Sequence, residues 1–412
     1  MTERIIVVGA GVAGATAAKT LRAEGFTGEI VLVGAERGLP YRRPMVSKEL
    51  LAGTAEERRT LLEPADSWRS LEVDLLLGRG VDAVDVDAKR VRFAGGESLG
   101  YDRLLLATGA RAKSLPGPQR NVHTLRGAAD VAPLREAIIA GGSLLIVGAG
   151  LVGCEVAATA RGLGVRVAIV HAGPAPLDRI APPAVGDYYR NLHADNGVEI
   201  HDEVVLDRLD GIETGVTALA RDGRNWSAAA ALIAIGSAPD TALASVAGLA
   251  VGNGILVDEH YRTSAPDVFA AGDVANRFDP ELGAYERDEH WNGAQAQGAA
   301  AARSMLGKTP ARPDVSWGWS TQYGRNLQFA GRWQPGDDFV VRGSVDSGEF
   351  AVLALRDGRL AGAVALARPA DLRAARPLIA RRAVLDPTRA ADVSVPLADA
   401  VASDDDLAAD RA

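Results

Sequence analysis

Two stretches of the chain share one pattern of apolar and small residues: a short buried run, a glycine-rich turn and a segment with helical spacing. Residues 4–14, RIIVVGAGVAG, run as a strand into Gly9-x-Gly11-x-x-Gly14, followed by an alanine-rich helical stretch to about Ala23. A second apolar strand, EIVLVG, then ends close to Glu36. Residues 143–153, SLLIVGAGLVG, repeat the device with Gly148-x-Gly150-x-x-Gly153, a helical run through Arg161 and the strand VRVAIVH. Each reads as a βαβ unit.

Short polar strands with Asp/Gly turns follow each copy, at 81–100 and 204–227, and then an apolar strand closing on glycine: RLLLATGA at 103–110 and AALIAIGSAP at 230–239. Two copies of one nucleotide-binding plan are visible. Beyond them, strand-like segments over 254–275 close on Ala-Gly-Asp, and WNGAQAQGAAAARSML (291–306) has the alanine content of a helix. Pro310 and Pro313 mark a linker. From about 314 come short strands, including FAVLAL and RLAGAVAL joined through Asp357-Gly358, a hairpin signal, and a helix near 369–382. The expected fold class is α/β, with two Rossmann-like dinucleotide-binding domains, a small α+β C-terminal domain and a frayed acidic tail over 403–412.

Composition narrows the function. At 412 residues the chain should hold two or three domains, taking roughly 150 residues for each. Its net charge of −8 argues against a nucleic-acid binder that needs an overall basic field. The single cysteine, Cys154, excludes an intrachain disulfide, a CxxC pair and any site held by several thiolates, and fits a reducing, cytoplasmic setting. The first strand begins almost at Met1, so no signal peptide is expected, and the longest uncharged apolar stretch, Leu144–Cys154, is broken by glycine, so no membrane segment is expected. The six histidines show no metal-ligand spacing and no serine sits on a nucleophile elbow, so neither metal nor hydrolase chemistry is expected.

In a glycine fingerprint the first glycine makes the turn, the second admits a pyrophosphate to the backbone, and the third lets helix and strand approach. One such motif is weak evidence. Two, each following a strand and opening a helix, predict two bound dinucleotides.

The stretches VVGAGVAG, YRRPMVSKELL, LLLATGA, IVGAGLVGCEVAATAR, VDEHYRTSAPDVFAAGDVA, ERDEHWNGAQAQG and WGWSTQY occur in the order of a known family. By them the chain resembles the pyridine nucleotide-disulfide oxidoreductase superfamily, and within it the ferredoxin and rubredoxin reductases that serve bacterial oxygenases and cytochromes P450. The resemblance implies an FAD-binding domain over 1–110 and 237–312, an NAD(P)H-binding domain over 111–236, and a C-terminal α+β domain over 313–402. It implies hydride transfer from NAD(P)H to FAD, then electrons passed one at a time to a 2Fe–2S ferredoxin or a rubredoxin. An NAD(P)H oxidase is an alternative, as is an apoptosis-inducing-factor-like flavoprotein that acts mainly by binding partners.

The same resemblance assigns residues. Lys48 and Glu155 match the lysine and glutamate that the family places together near flavin N5, where hydride arrives; Val46 and Met45 replace the usual leucine and proline without altering that pair. Glu36 is placed for the ribose of FAD's adenosine, Asp273 after Gly272 for the ribityl hydroxyls, and the helix beginning at Trp291 for the flavin's pyrimidine edge. Arg43, Lys48, Thr108, Gly109 and Gly236 complete the expected cofactor contacts, beside the six fingerprint glycines. No cysteine precedes Cys154, so the thiol-dependent branches are excluded, and Ser47 stands where they would want sulfur. Trp317 and Trp319 match a segment lying by the flavin on the side that faces the iron–sulfur partner, with some of Arg42, Arg43, Arg325 and Arg332 expected to gather for docking. The second unit's second strand ends at His171-Ala172-Gly173, where NADH-using relatives place an acid; NADH is favoured over NADPH, with His171 by the adenosine ribose.

Overall fold

The computed structural model describes residues 2–310 and 314–402. Pro313 of the expected linker and the expected acidic tail over 403–412 lie outside the described residues. The chain divides into two compact units. One holds the described residues up to Met45, Ala55–Arg111, and the described residues from Ser237 to Pro310. The other holds Val46–Thr54, Ala112–Gly236 and the described residues from Asp314. The short stretch 46–54 thus groups with the second unit, away from the sequence that flanks it. Nothing in its composition marks that change, because its partners are distant in sequence.

In the first unit a parallel sheet has the spatial order Val268–Ala270, Arg103–Leu106, Arg4–Val8, Glu29–Gly34, Val73–Leu77. Ile5, Ile6 and Val7 are fully buried, as a strand covered on both faces requires. The first strand is central, and the chain leaves it to one side before returning to the other. This reversal makes a switch point at the strand's carboxyl end, where the first glycine turn lies. Small residues let the helices crowd in: a Cβ at Gly298, in the helix Trp291–Met305, would stand 2.1 Å from the Ala13 carbonyl oxygen in the helix Val12–Ala23. These two helices therefore meet almost backbone to backbone.

The second unit repeats the plan with the order Val198–His201, Arg166–Val170, Ser143–Val147, Ala230–Ile233, Val122–His123. The helix Leu151–Gly162 follows its glycine turn, and the helix Pro183–Asp195 leads to the strand Val198–His201. The same unit contains an antiparallel sheet ordered Trp317–Gln322, Arg325–Gly331, Arg359–Leu366, Glu349–Arg356, Asp338–Ser344, with the helix Pro369–Ala380 packed on it. The expected hairpin is present: Asp357 and Gly358 take φ of 52° and 71°, the left-handed pair that a two-residue type I′ turn requires. On the strand Trp317–Gln322, alternation buries Gly318, Ser320 and Gln322 and leaves Trp317, Trp319 and Thr321 half-buried on the other face. Among the described residues no helix is long and apolar enough to cross a membrane.

Candidate functional site

The two glycine turns obey one rule. Gly9 has φ +117° and a Cβ there would lie 2.0 Å from the Ala107 carbonyl oxygen; a Cβ on Gly14 would lie 1.9 Å from the Gly9 carbonyl oxygen. Gly148 and Gly153 are held in the same way, by the Ala234 and Gly148 carbonyl oxygens at 2.5 and 2.1 Å. The middle glycines differ: a Cβ on Gly11 or Gly150 would meet nothing within 4 Å. The outer glycines are thus required by the protein's own backbone, whereas the middle ones leave open space in front of a helix N-terminus. Neither the helix Val12–Ala23 nor the helix Leu151–Gly162 has a side-chain cap at its start. Both turns fit the pyrophosphate of a dinucleotide, an anion that backbone N–H groups and the helix dipole favour.

Around the first turn, Glu36 accepts from Tyr41 Oη at 2.8 Å and from Arg43 Nη2 at 2.7 Å, and the Arg43 guanidinium lies over the Tyr41 ring. Glu36 is therefore a carboxylate held in place two residues past its strand. Thr108 donates to the Asp240 carbonyl at 2.7 Å, and Gly109 (φ 71°) accepts from the Asp240 amide, so this pair ties down the returning chain. Asp273 is buried, and its carbonyl accepts from Arg287. Gly272 packs so closely on the first helix that a Cβ would stand 2.8 Å from that of Ala13, and its amide donates to Gln297. Trp291 is the first residue of its helix, after the cap His290.

Within the second unit the structure brings Lys48 and Glu155 together. Lys48 Nζ donates to Glu155 Oε2 at 2.7 Å, Ser47 Oγ donates to the same oxygen at 2.5 Å, and Ser320 Oγ donates to Oε1 at 2.8 Å. Glu155 is 5% exposed. Lys48 lies in a π-helical turn, Val46–Leu50, and the Ser47 carbonyl is gripped by Thr159 Oγ1 from the helix that carries Glu155. Such turns are commonly found at functional sites. The arrangement makes a desolvated ion pair in which both carboxylate oxygens are satisfied.

Pyridine nucleotide-disulphide oxidoreductases match residues 3–298, and the reductase C-terminal family matches residues 317–401. The chain belongs to the pyridine nucleotide-disulphide oxidoreductase family. It is 39% identical to the ferredoxin reductase component of chlorobenzene dioxygenase from Cupriavidus sp. (strain PS12), over 97% of this chain and 98% of that one. It is 37% identical to rhodocoxin reductase from Rhodococcus erythropolis, over 99% and 96%. Among solved structures it is similar to putidaredoxin reductase in its covalent complex with putidaredoxin, with a TM-score of 0.90 at 33% identity over 100% and 99% of the two chains. The ferredoxin reductase of the CYP199A2 system from Rhodopseudomonas palustris gives 0.92 at 29% over 97% and 100%.

In this oxidoreductase Cys154 is buried, donates to the Ala149 carbonyl, and burial pushes its thiol pKa well above the ordinary range, so it stays protonated and inert. The rings of Trp317 and Trp319 lie 6.0 Å apart, tilted by 39°, and the Arg376 guanidinium covers Trp317 at 4.7 Å. His171 is buried at the strand end, and its Nε2 faces Asp202 at 2.5 Å, while Asp202 also accepts from Arg190 Nε at 2.6 Å. An acid, Asp202, thus faces His171 from the end of the neighbouring strand. Gly236 (φ 98°) accepts from the Lys113 amide beside the second turn. Sequence reasoning missed Asp202, Arg190, Ser320 and Gln322. For the last two a signal existed: residues alternating with the two tryptophans must face the opposite side of the strand.

Proposed function

We propose that this chain is an NADH-dependent FAD flavoprotein reductase that passes electrons singly to a 2Fe–2S ferredoxin or rubredoxin serving an oxygenase or cytochrome P450. The observation that carries the reading is the pair of glycine turns, each needing its outer glycines for the fold and leaving only the middle one for a ligand. FAD occupies the turn at Gly9, Gly11 and Gly14, and NADH the turn at Gly148, Gly150 and Gly153. Family order supports this assignment.

FAD, when bound, supplies the chemistry that turns a two-electron hydride donor into a one-electron source. The chain supplies binding and electrostatics. Glu36, held by Tyr41 and Arg43, takes the adenosine ribose of FAD; Asp273 takes the ribityl chain; the helix that starts at Trp291 points its positive end at the flavin's pyrimidine edge. Arg43, Thr108, Gly109 and Gly272 shape that site. Lys48 and Glu155 act in hydride transfer, Lys48 as a fixed positive charge and Glu155 as the group that orients it. His171, backed by Asp202, stands by the adenosine ribose of NADH, and Gly236 is a further contact of that nucleotide. Trp317 and Trp319 lie on the path to the iron–sulfur partner. A cytoplasmic setting suits a chain whose one cysteine is a buried thiol.

The test is an anaerobic titration. The protein should purify yellow with one FAD, NADH should bleach the flavin, and an added oxidised 2Fe–2S ferredoxin should restore the colour as it is itself reduced. A folded, colourless protein that cannot be reconstituted with FAD would refute the scheme.

A further inference from the structure

One polar chain in the second unit is unexplained by cofactor binding. His193, on the helix Pro183–Asp195, is fully buried, with Nδ1 2.8 Å from Tyr323 Oη and Nε2 3.0 Å from Gln322 Oε1. Gln322 Nε2 donates to Ser320 Oγ at 3.1 Å, and Ser320 Oγ donates to Glu155 Oε1. Ser320 and Gln322 are 0% and 1% exposed.

The chain has one direction. With the Gln322 amide nitrogen donating to Ser320 and its oxygen facing His193, the network is satisfied when His193 carries its proton on Nε2. His193 Nδ1 then accepts from Tyr323, and the hydroxyl of Ser320, which receives from Gln322, has its proton left for Glu155. Every donor from Tyr323 inward points toward the carboxylate. Bonds aligned head to tail polarise one another and strengthen the last member. Burial supports the same protonation state, lowering the His193 pKa to about 4 despite the bond to Gln322, so the ring is neutral at neutral pH.

We propose that Ser320, Gln322 and His193 are positioning residues that aim Glu155, so that Oε1 is occupied from one side while Oε2 is turned to Lys48 and Ser47. The C-terminal segment would then have a part in hydride transfer through the buried face of the strand whose other face carries Trp317 and Trp319. This inference rests on the proposed role of Lys48 and Glu155.

Two measurements on the FAD-loaded protein decide it. Nitrogen-15 NMR of the histidine rings should show His193 protonated at Nε2, and Gln322→Met, which removes the acceptor while keeping the length of the side chain, should move that nitrogen's signal. Stopped-flow reduction by saturating NADH should fall about tenfold in Ser320→Ala and Gln322→Met, and less in the remote Tyr323→Phe, with the Kd for NADH and the FAD content unchanged. A purely structural role would lower the melting point and leave the limiting rate alone, and that outcome in both inner variants would overturn the proposal. So would a His193 protonated at Nδ1. If Ser320→Ala fails to fold, Gln322→Met carries the rate test. If wild-type protein binds FAD yet is not reduced by NADH, the functional reading fails, and the tautomer alone decides whether the chain points at Glu155.

Discussion

At the scale of single residues, the middle glycines separate ligand binding from folding. Gly11 has φ −73°, which alanine adopts without strain, so Gly11→Ala should fold with stability within about 1 kcal/mol of wild type and yet hold FAD weakly. Gly150→Ala should keep its FAD and raise the KM for NADH. Gly9→Ala should not fold at all, because its Cβ would overlap the Ala107 carbonyl. Flavin content and melting midpoints of the three variants check this set. Lys48→Met and Glu155→Gln should keep their FAD and slow its reduction by about tenfold or more, measured by stopped flow. His193 gives a pH signature. Its pKa falls from 6.5 to about 4 on folding, chiefly through burial, so the unfolded chain binds more protons between these values. The contribution is fully present above pH 6.5 and is lost as the pH drops toward about 4, by an amount of order 3 kcal/mol. Denaturant midpoints across that range should therefore drop less in His193→Gln than in wild type.

At the scale of elements, local chemistry was readable and long-range pairing was not. The strand–Gly–helix turns and the Asp357-Gly358 hairpin are fixed by backbone conformations that few residues adopt, so the sequence displays them. The hydrogen bonds to Glu155 come from residues over 100 positions away, and the Asp202 that backs His171 lies 31 positions on. No periodicity encodes such contacts. The same holds for Arg342, whose buried guanidinium pairs with Asp371 at 2.9 Å and donates to the carbonyls of Ala390, Asp392 and Val395. Arg342→Met should destabilise the chain by about 3 kcal/mol, the low end for a broken buried pair because Arg368 still attends Asp371. Early proteolysis near 387–396 together with a lower melting midpoint is the expected result.

At the scale of the whole molecule, charge governs the approach of a partner. With a net charge of −8 the chain repels an acidic ferredoxin unless exposed cations lie where it docks. Of the arginines expected to serve, Arg42, Arg325 and Arg332 are exposed, whereas Arg43 is committed to Glu36 and Tyr41. Exposed charges are screened over about 8 Å at physiological ionic strength, so ferredoxin-linked turnover should fall steeply with added salt while reduction of a small neutral quinone barely changes. The most direct measurement is NADH-driven reduction of cytochrome c in air, with and without a 2Fe–2S ferredoxin, while peroxide is followed. The account predicts reduction that appears only when ferredoxin is added, with little peroxide. Rapid NADH loss with matching peroxide, unchanged by ferredoxin, would contradict it.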